Sequence, residues 1–322
     1  MSPPRQLSSK RNLFLAFDAF GTLFEPNSSI PKAYGQAALR HGISFIDKPE
    51  HELVLKDYDP VKKSFSRAFK SETTRNPNYG KATGLGAEKW WANVINGTFQ
   101  PFLKPSQQVP NALISELLTR YSTKQGYNLF TDVLPLFRML KDHASKDRSA
   151  SSWKWDKTVV GIITNSDDRV PSVLESFGLN IGPRRVGSCV QRPAKATTDD
   201  DDDISFVVLS YDVGHEKPDR RIFEAAEQIL SQTLSEQGAD ANIGNIDEYE
   251  KLYVGDSLEK DYLGAKAAGW NAVLLRRGRE GQESKFVKKV DMAELTDGEQ
   301  AGQIVGVCTS LAALTSWVPD QV

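Results

Sequence analysis

Five short apolar runs constrain this chain more than any other feature: LFLAF (13–17), TVVGII (158–163), SFVVLS (205–210), KLYVG (251–255) and NAVLL (271–275). Each run is continuous rather than alternating, the pattern of a parallel strand covered on both faces. Helical patterns lie between them. DRVPSVLESFG (168–178) puts Val170, Val173, Leu174 and Phe177 on one face and stops at Gly178. PDRRIFEAAEQIL (218–230) opens with a proline and stripes Ile222, Phe223, Ala226, Ile229 and Leu230, and EKDYLGAKAAG (259–269) ends in glycine. Strands alternating with helices predict an α/β fold, a Rossmann-like doubly wound parallel sheet.

Residues 18–157 separate the first run from the second, far more than a crossover helix needs. Within 26–126 the patterns are helical, as in AEKWWANVINGTF (87–99) and NALISELLTRY (111–121), so an inserted helical cap is expected there. The α/β core is then discontinuous, 12–25 and 127–316, and Asp132 is placed to cap the helix that re-enters it. The segment 182–203 turns from basic to acidic and ends in the run Asp199–Asp203; it reads as a flexible, solvated acidic insertion, with calcium or a basic partner as its alternative occupants. A net charge of −2 gives no bulk case for nucleic acid or an anionic membrane as partner. No run approaches a membrane span, and Cys189 and Cys308 form neither a CxxC nor a disulfide framework. The expectation is a soluble, cytoplasmic protein.

Each strand end carries a different functional group. Asp18 follows the first run, with Thr22 four residues on; Thr164 and Asn165 follow the second; Lys217 follows the third; Asp256 and Asp261 follow the fourth. In an open parallel sheet ligands bind beyond the carboxyl ends of the strands, at the switch point of the strand order. Taken singly, each residue has a plain structural reading: Asp18 as a turn former, Thr164 and Asn165 as helix caps, Lys217 as a solvated lysine. Together they bring carboxylates, a hydroxyl and an ammonium to one crevice.

DAFGT, ITNS, HEKPD and GDSLEKD, in this order and followed after the first by a helical insertion, resemble the four motifs of the haloacid dehalogenase-like hydrolase superfamily, in its helical-cap subfamily. Trp90-Trp91 followed by Thr98-Phe99 resembles one branch of that subfamily. The resemblance covers roughly 12–316 and implies hydrolysis of a small phosphorylated substrate. Asp18 would be the nucleophile, forming an aspartyl-phosphate. Two carboxylates as close as Asp18 and Asp256 would force one to take a proton unless a cation lies between them, and Mg²⁺ suits one or two carboxylates, waters and a phosphate. Asp18 and Asp256 are therefore the expected ligands, with the backbone carbonyl of Phe20 implied by the resemblance. Asp261 would bind through water or directly, or orient Lys217. Thr164 and Lys217 would act on the transferring phosphoryl group, and Thr22 and Asn165 are further substrate-side candidates, Asn165 alternatively holding the loop.

Phe20 departs from the resemblance, which implies an aspartate there to protonate the leaving group and then activate water. Such help is worth ~10²–10⁴-fold, or roughly 3–5 kcal/mol of barrier. An aromatic residue at this position resembles the dehalogenases, whose halide leaves unprotonated, but these need no metal, and the GDxxxxD spacing favours metal-assisted chemistry. His215 is a candidate substitute acid. A non-catalytic protein that binds a phosphorylated ligand is the third reading. Tyr34, Arg40, Arg67 and Trp90 are polar or aromatic residues of the insertion, with Trp90-Trp91 read as core packing.

Overall fold

A computed structural model describes residues 11–145, 153–187, 202–237, 245–278, 286–296 and 302–319. Cys189 and most of the acidic insertion, including Asp199–Asp201, lie outside the described residues. The strands are β1 (Asn12–Phe17), β2 (Phe24–Pro26), β3 (Tyr127–Leu129), β4 (Lys157–Thr164), β5 (Ile181–Arg184), β6 (Ile204–Leu209), β7 (Tyr249–Gly255), β8 (Asn271–Leu275), β9 (Lys288–Asp291) and β10 (Ile304–Cys308). The helices are α1 (Ile30–Arg40), α2 (Asp59–Arg75), α3 (Ala87–Phe99), α4 (Asn111–Arg120), α5 (Val133–Ser145), α6 (Val170–Ser176), α7 (Ser210–Val213), α8 (Arg220–Gln237) and α9 (Gly264–Ala267).

Eight strands form one sheet in the order β5-β6-β4-β1-β7-β8-β10-β9, parallel except for the antiparallel β9–β10 pair. All five apolar runs are strands of this sheet, within a residue or two of their predicted ends. β1 is central: Phe17 aligns with Ile162 of β4 on one side and Val254 of β7 on the other. The chain builds outward from β1 through β4 and β6, then returns to its other side with β7 and β8, so the strand order reverses at β1. The predicted stripe of α8 (Ile222, Phe223, Ala226, Ile229, Leu230) is buried with Phe14, Phe206, Tyr253 and Trp270 of the sheet face. Gly178 and Gly269, at φ +91° and +83°, end their helical segments in the left-handed region that glycine adopts without strain. This is the doubly wound, Rossmann-like α/β architecture, with a helical cap inserted after its first strand.

Three strands of this sheet had no clear sequence signal. β5 and β9 are edge strands, and β9 reads KKVD. β10 reads IVGVC, a five-residue run inside a polar segment.

The described residues form two compact units, one of residues up to Leu23, Phe130–Asn165 and from Leu179 onward, the other of Phe24–Leu129 and Ser166–Gly178. The second contains the short antiparallel ribbon β2–β3 and helices α1–α4 and α6. Its core is aromatic: Tyr34 lies 5.2 Å from Phe65 and 6.0 Å from Phe99 between ring centroids, and Trp90 lies 4.9 Å from Trp91. Trp90 is buried, and its indole N–H donates to Asn76 O at 2.9 Å. Arg40 pairs with Glu116, and Arg67 is exposed on α2.

Candidate active site

The residues expected to carry chemistry follow the carboxyl ends of β1, β4, β6 and β7, all within the first unit. Asp18 is the first residue past β1. Its backbone N–H donates to Val254 O at 2.9 Å, which carries the strand ladder one step further and fixes where the side chain emerges. Thr164 ends β4 and is buried. Lys217 follows α7 and is buried too; its ammonium group donates to Asp18 Oδ1, Asp261 Oδ1 and the Tyr253 hydroxyl, each at 2.7 Å. All three N–H bonds of the lysine are thereby used. Tyr253 in turn donates its hydroxyl proton to Ile163 O, so β7 and β4 both hold the lysine in place.

Asn165 uses both ends of its amide on the Lys217 backbone: Nδ2 donates to Lys217 O at 3.0 Å, and Lys217 N donates to Oδ1 at 2.7 Å. That reciprocal pair is the geometry of the loop-holding role. Asp261 lies in the helical turn Leu258–Leu263, capped by Ser257, and is buried. Its Oδ1 accepts from Lys217 and its Oδ2 from Ser257 N at 2.8 Å. Asp256 is exposed at the end of β7. Gly21, at φ +76°, is pressed against it: a Cβ there would stand 2.4 Å from Asp256 Oδ2.

Asp18, Asp256 and Asp261 can each present an oxygen within 4.8 Å of the other two. Three carboxylates therefore crowd a place served by one ammonium group. The carboxyl pKa values register the crowding. Partial burial, then the charges of Asp18 and Asp261, push Asp256 up to about 6. Burial raises Asp261 as well, against the opposing pull of Lys217. Burial would lower Lys217, but the charges and hydrogen bonds of Asp18 and Asp261 outweigh it and hold the ammonium above its ordinary value. Oxygen donors with an excess of negative charge, one of them open to solvent, are the donor set of a hard divalent cation. A cluster of this kind fits Mg²⁺ without singling it out from other such ions.

Thr22 is fully buried, and its hydroxyl has no hydrogen-bond partner. Phe20 is half-buried. His215 lies 3.9 Å from Asp219 and is partly exposed. Asp132, expected as a helix cap, directly precedes α5, and its backbone carbonyl accepts from Leu136 N, while its carboxylate accepts from Arg277 Nη1, Ser310 Oγ and Leu311 N. Sequence reading missed Tyr253 and Arg277. Tyr253 sits inside an apolar strand run, where a tyrosine reads as core. Arg277 lies in a polar stretch past β8 with nothing local to mark it.

A family model described as haloacid dehalogenase-like hydrolase matches residues 14–269. An uncharacterized hydrolase of Schizosaccharomyces pombe is 28% identical over 259 residues, covering 80% of this chain and 88% of that one. Haloacid dehalogenase-like hydrolase domain-containing protein 3 of Bos taurus, a representative of the branch that Trp90-Trp91 and Thr98-Phe99 resemble, is 22% identical over 81% of this chain and 80% of its own. Among solved structures, a HAD phosphatase from Thermococcus onnurineus aligns over 94% of this chain and 95% of its own, at 20% identity and a TM-score of 0.45.

Proposed function

The chain belongs to the haloacid dehalogenase-like hydrolase family, and on that premise we propose that it hydrolyses a small phosphorylated substrate with the help of Mg²⁺, through an aspartyl-phosphate at Asp18. The observation that carries this reading is the cluster of Asp18, Asp256 and Asp261 around the Lys217 ammonium group at the end of the central strand. In the proposal Asp18, Asp256 and the Phe20 carbonyl hold the cation. Asp261, with both oxygens engaged, orients Lys217 and reaches the cation through water. When bound, the cation would offset the excess carboxylate charge and that of the phosphoryl oxygens.

The chain's own groups do the rest. An oxygen of Asp18 attacks phosphorus, the bond to the leaving oxygen breaks, and the leaving group departs with the electron pair. Lys217 and Thr164 meet the charge that spreads over the phosphoryl oxygens. Water then attacks phosphorus, the bond to Asp18 breaks, and inorganic phosphate is released. Asn165 keeps the Lys217 backbone in register, and Thr22 belongs to the turn that follows Asp18. The division into a core of 12–25 and 127–316 and a cap of 26–126, and a cytoplasmic location, belong to the same proposal.

Phe20 gives neither half-reaction a proton carrier. Turnover is therefore slow unless the leaving group departs readily as an anion. The same residue favours a second reading, hydrolysis of a carbon–halide bond, whose halide needs no proton. A panel of phosphorylated metabolites and aryl phosphates with Mg²⁺, run beside 2-haloacids without metal, separates the two. Phosphate release that vanishes in Asp18→Asn supports the phosphatase. Turnover indifferent to that substitution overturns the assignment of Asp18, and metal-free halide release replaces the reading with the second.

A further inference from the structure

We propose that Arg277, held by Asp132, is a positioning residue that sets the turn carrying Asp18 and the Phe20 carbonyl; the proposal rests on the phosphatase reading only for its kinetic readout. Arg277 lies two residues beyond β8. Its Nη1 donates to both oxygens of Asp132, at 2.7 and 2.6 Å, while Nη2 donates to the backbone carbonyl of Thr22. Asp132 is itself fixed by Ser310 Oγ and Leu311 N, each at 2.8 Å, and the guanidinium group lies 4.0 Å above the Phe130 ring. Phe130 N donates in turn to Leu23 O at 3.0 Å. The fork is therefore preset from two segments, 130–132 and 310–311, before it meets the turn.

The turn has little slack. At one end Asp18 N is tied to Val254 O, and Leu23 N closes the turn back onto Ala19 O at 2.8 Å. In the middle Gly21 is pressed on the Asp256 carboxylate. At the far end the Thr22 hydroxyl makes no bond, so Thr22 itself is held through its backbone carbonyl by Arg277, beside the Leu23 bonds to Ala19 O and Phe130 N. Releasing it lets Gly21 and the Phe20 carbonyl move relative to Asp256, the geometry that cation binding and attack both need. A buried ion pair that merely joins α5 to the C-terminal segment would affect stability but not this geometry.

Arg277→Lys is the first test. An ammonium group can keep one bond to Asp132 but cannot also reach Thr22 O in the fork geometry. The expected result is a kcat at least about tenfold lower, with KM within about threefold and Tm within a few degrees. Arg277→Ala should lose about 10²-fold in kcat and weaken Mn²⁺ binding, measured by electron paramagnetic resonance, and millimolar ethylguanidinium should restore part of both. Wild-type kcat in Arg277→Lys, or an Arg277→Ala defect that follows only the folded fraction and is not rescued, overturns the positioning role. If wild type shows no phosphatase activity, the functional reading fails separately. Mn²⁺ affinity then decides this proposal alone: unchanged affinity in Arg277→Lys overturns it, and weakened affinity rescued by ethylguanidinium in Arg277→Ala supports it.

Discussion

Two regions of the molecule gather charge, and they do it in opposite ways. In the second unit the Asp167 carboxylate is fully enclosed and accepts from Arg169 Nε at 2.8 Å, Arg169 Nη2 at 2.9 Å, Arg169 N at 3.0 Å and Trp91 Nε1 at 2.7 Å. The guanidinium group of Arg169 lies 4.4 Å from the centre of the Trp91 ring. One carboxylate meets one cation, and both oxygens are satisfied. In the first unit three carboxylates, Asp18, Asp256 and Asp261, face the single Lys217, which leaves a formal excess of two negative charges. A neutral, fully bonded pair asks for nothing more. An unbalanced cluster costs folding energy unless something arrives to balance it, and that deficit distinguishes a site from a brace.

The largest effect expected from breaking this contrast is on turnover. Asp18→Asn keeps the shape but removes the nucleophile, and phosphate release should fall by about 10⁴-fold or more in a steady-state assay. The converse substitution, Phe20→Asp, supplies the missing proton carrier. It should raise kcat on alkyl phosphates by ~10²–10⁴-fold and on aryl phosphates, whose leaving groups need no proton, far less. Equal gains on both classes would show that Phe20 limits something other than proton transfer.

Much of this contrast was legible in the sequence, for reasons of period and place. The apolar runs and the α8 stripe follow from burial on a regular repeat, so strands and core came out together. Asp18, Thr164, Lys217, Asp256 and Asp261 could be singled out because each directly follows, or lies a few residues beyond, such a run. The pairing of Arg277 with Asp132 could not, since the two segments are far apart in the chain. The Asp167–Arg169 pair was hidden differently: DDR after a strand reads as a helix start, and only folding shows that Trp91 closes over it. Short edge strands such as β9 are set by pairing with a neighbour rather than by their own composition.

Breaking the balanced region should cost stability and no specific chemistry. Asp167→Ala leaves the Arg169 charge without its partner and the Trp91 N–H without its acceptor. The expected loss is about 3–5 kcal/mol of unfolding free energy, read by denaturant titration. Replacing both charges, as in Asp167→Leu with Arg169→Met, should cost much less, because no orphaned charge remains. Equal losses in the single and double variants would mean that shape rather than charge holds this region.

The smallest effect concerns pH. Asp256 is pushed up to about 6 from an ordinary 3.8, by partial burial first and by Asp18 and Asp261 next. Without a cation the folded protein therefore binds a proton at Asp256 more tightly than the unfolded chain does. The group's contribution to stability is fully present below the unfolded value of 3.8 and is lost as pH rises through about 6. A divalent cation competes with that proton and binds the carboxylate, so its stabilising effect must run the other way. The rise in Tm on adding Mg²⁺ should be slight near about pH 5 and reach its full size above about pH 7. Asp256→Asn should abolish the dependence by removing both the repulsion and the ligand. Asp167, already neutralised by Arg169, supplies the internal comparison: a variant lacking that pair should keep the pH dependence of the Mg²⁺ shift even as its baseline Tm falls. A Mg²⁺ shift of the same size across that pH range would mean that Asp256 is not a ligand, and the excess charge of the site would then have to be met by other groups.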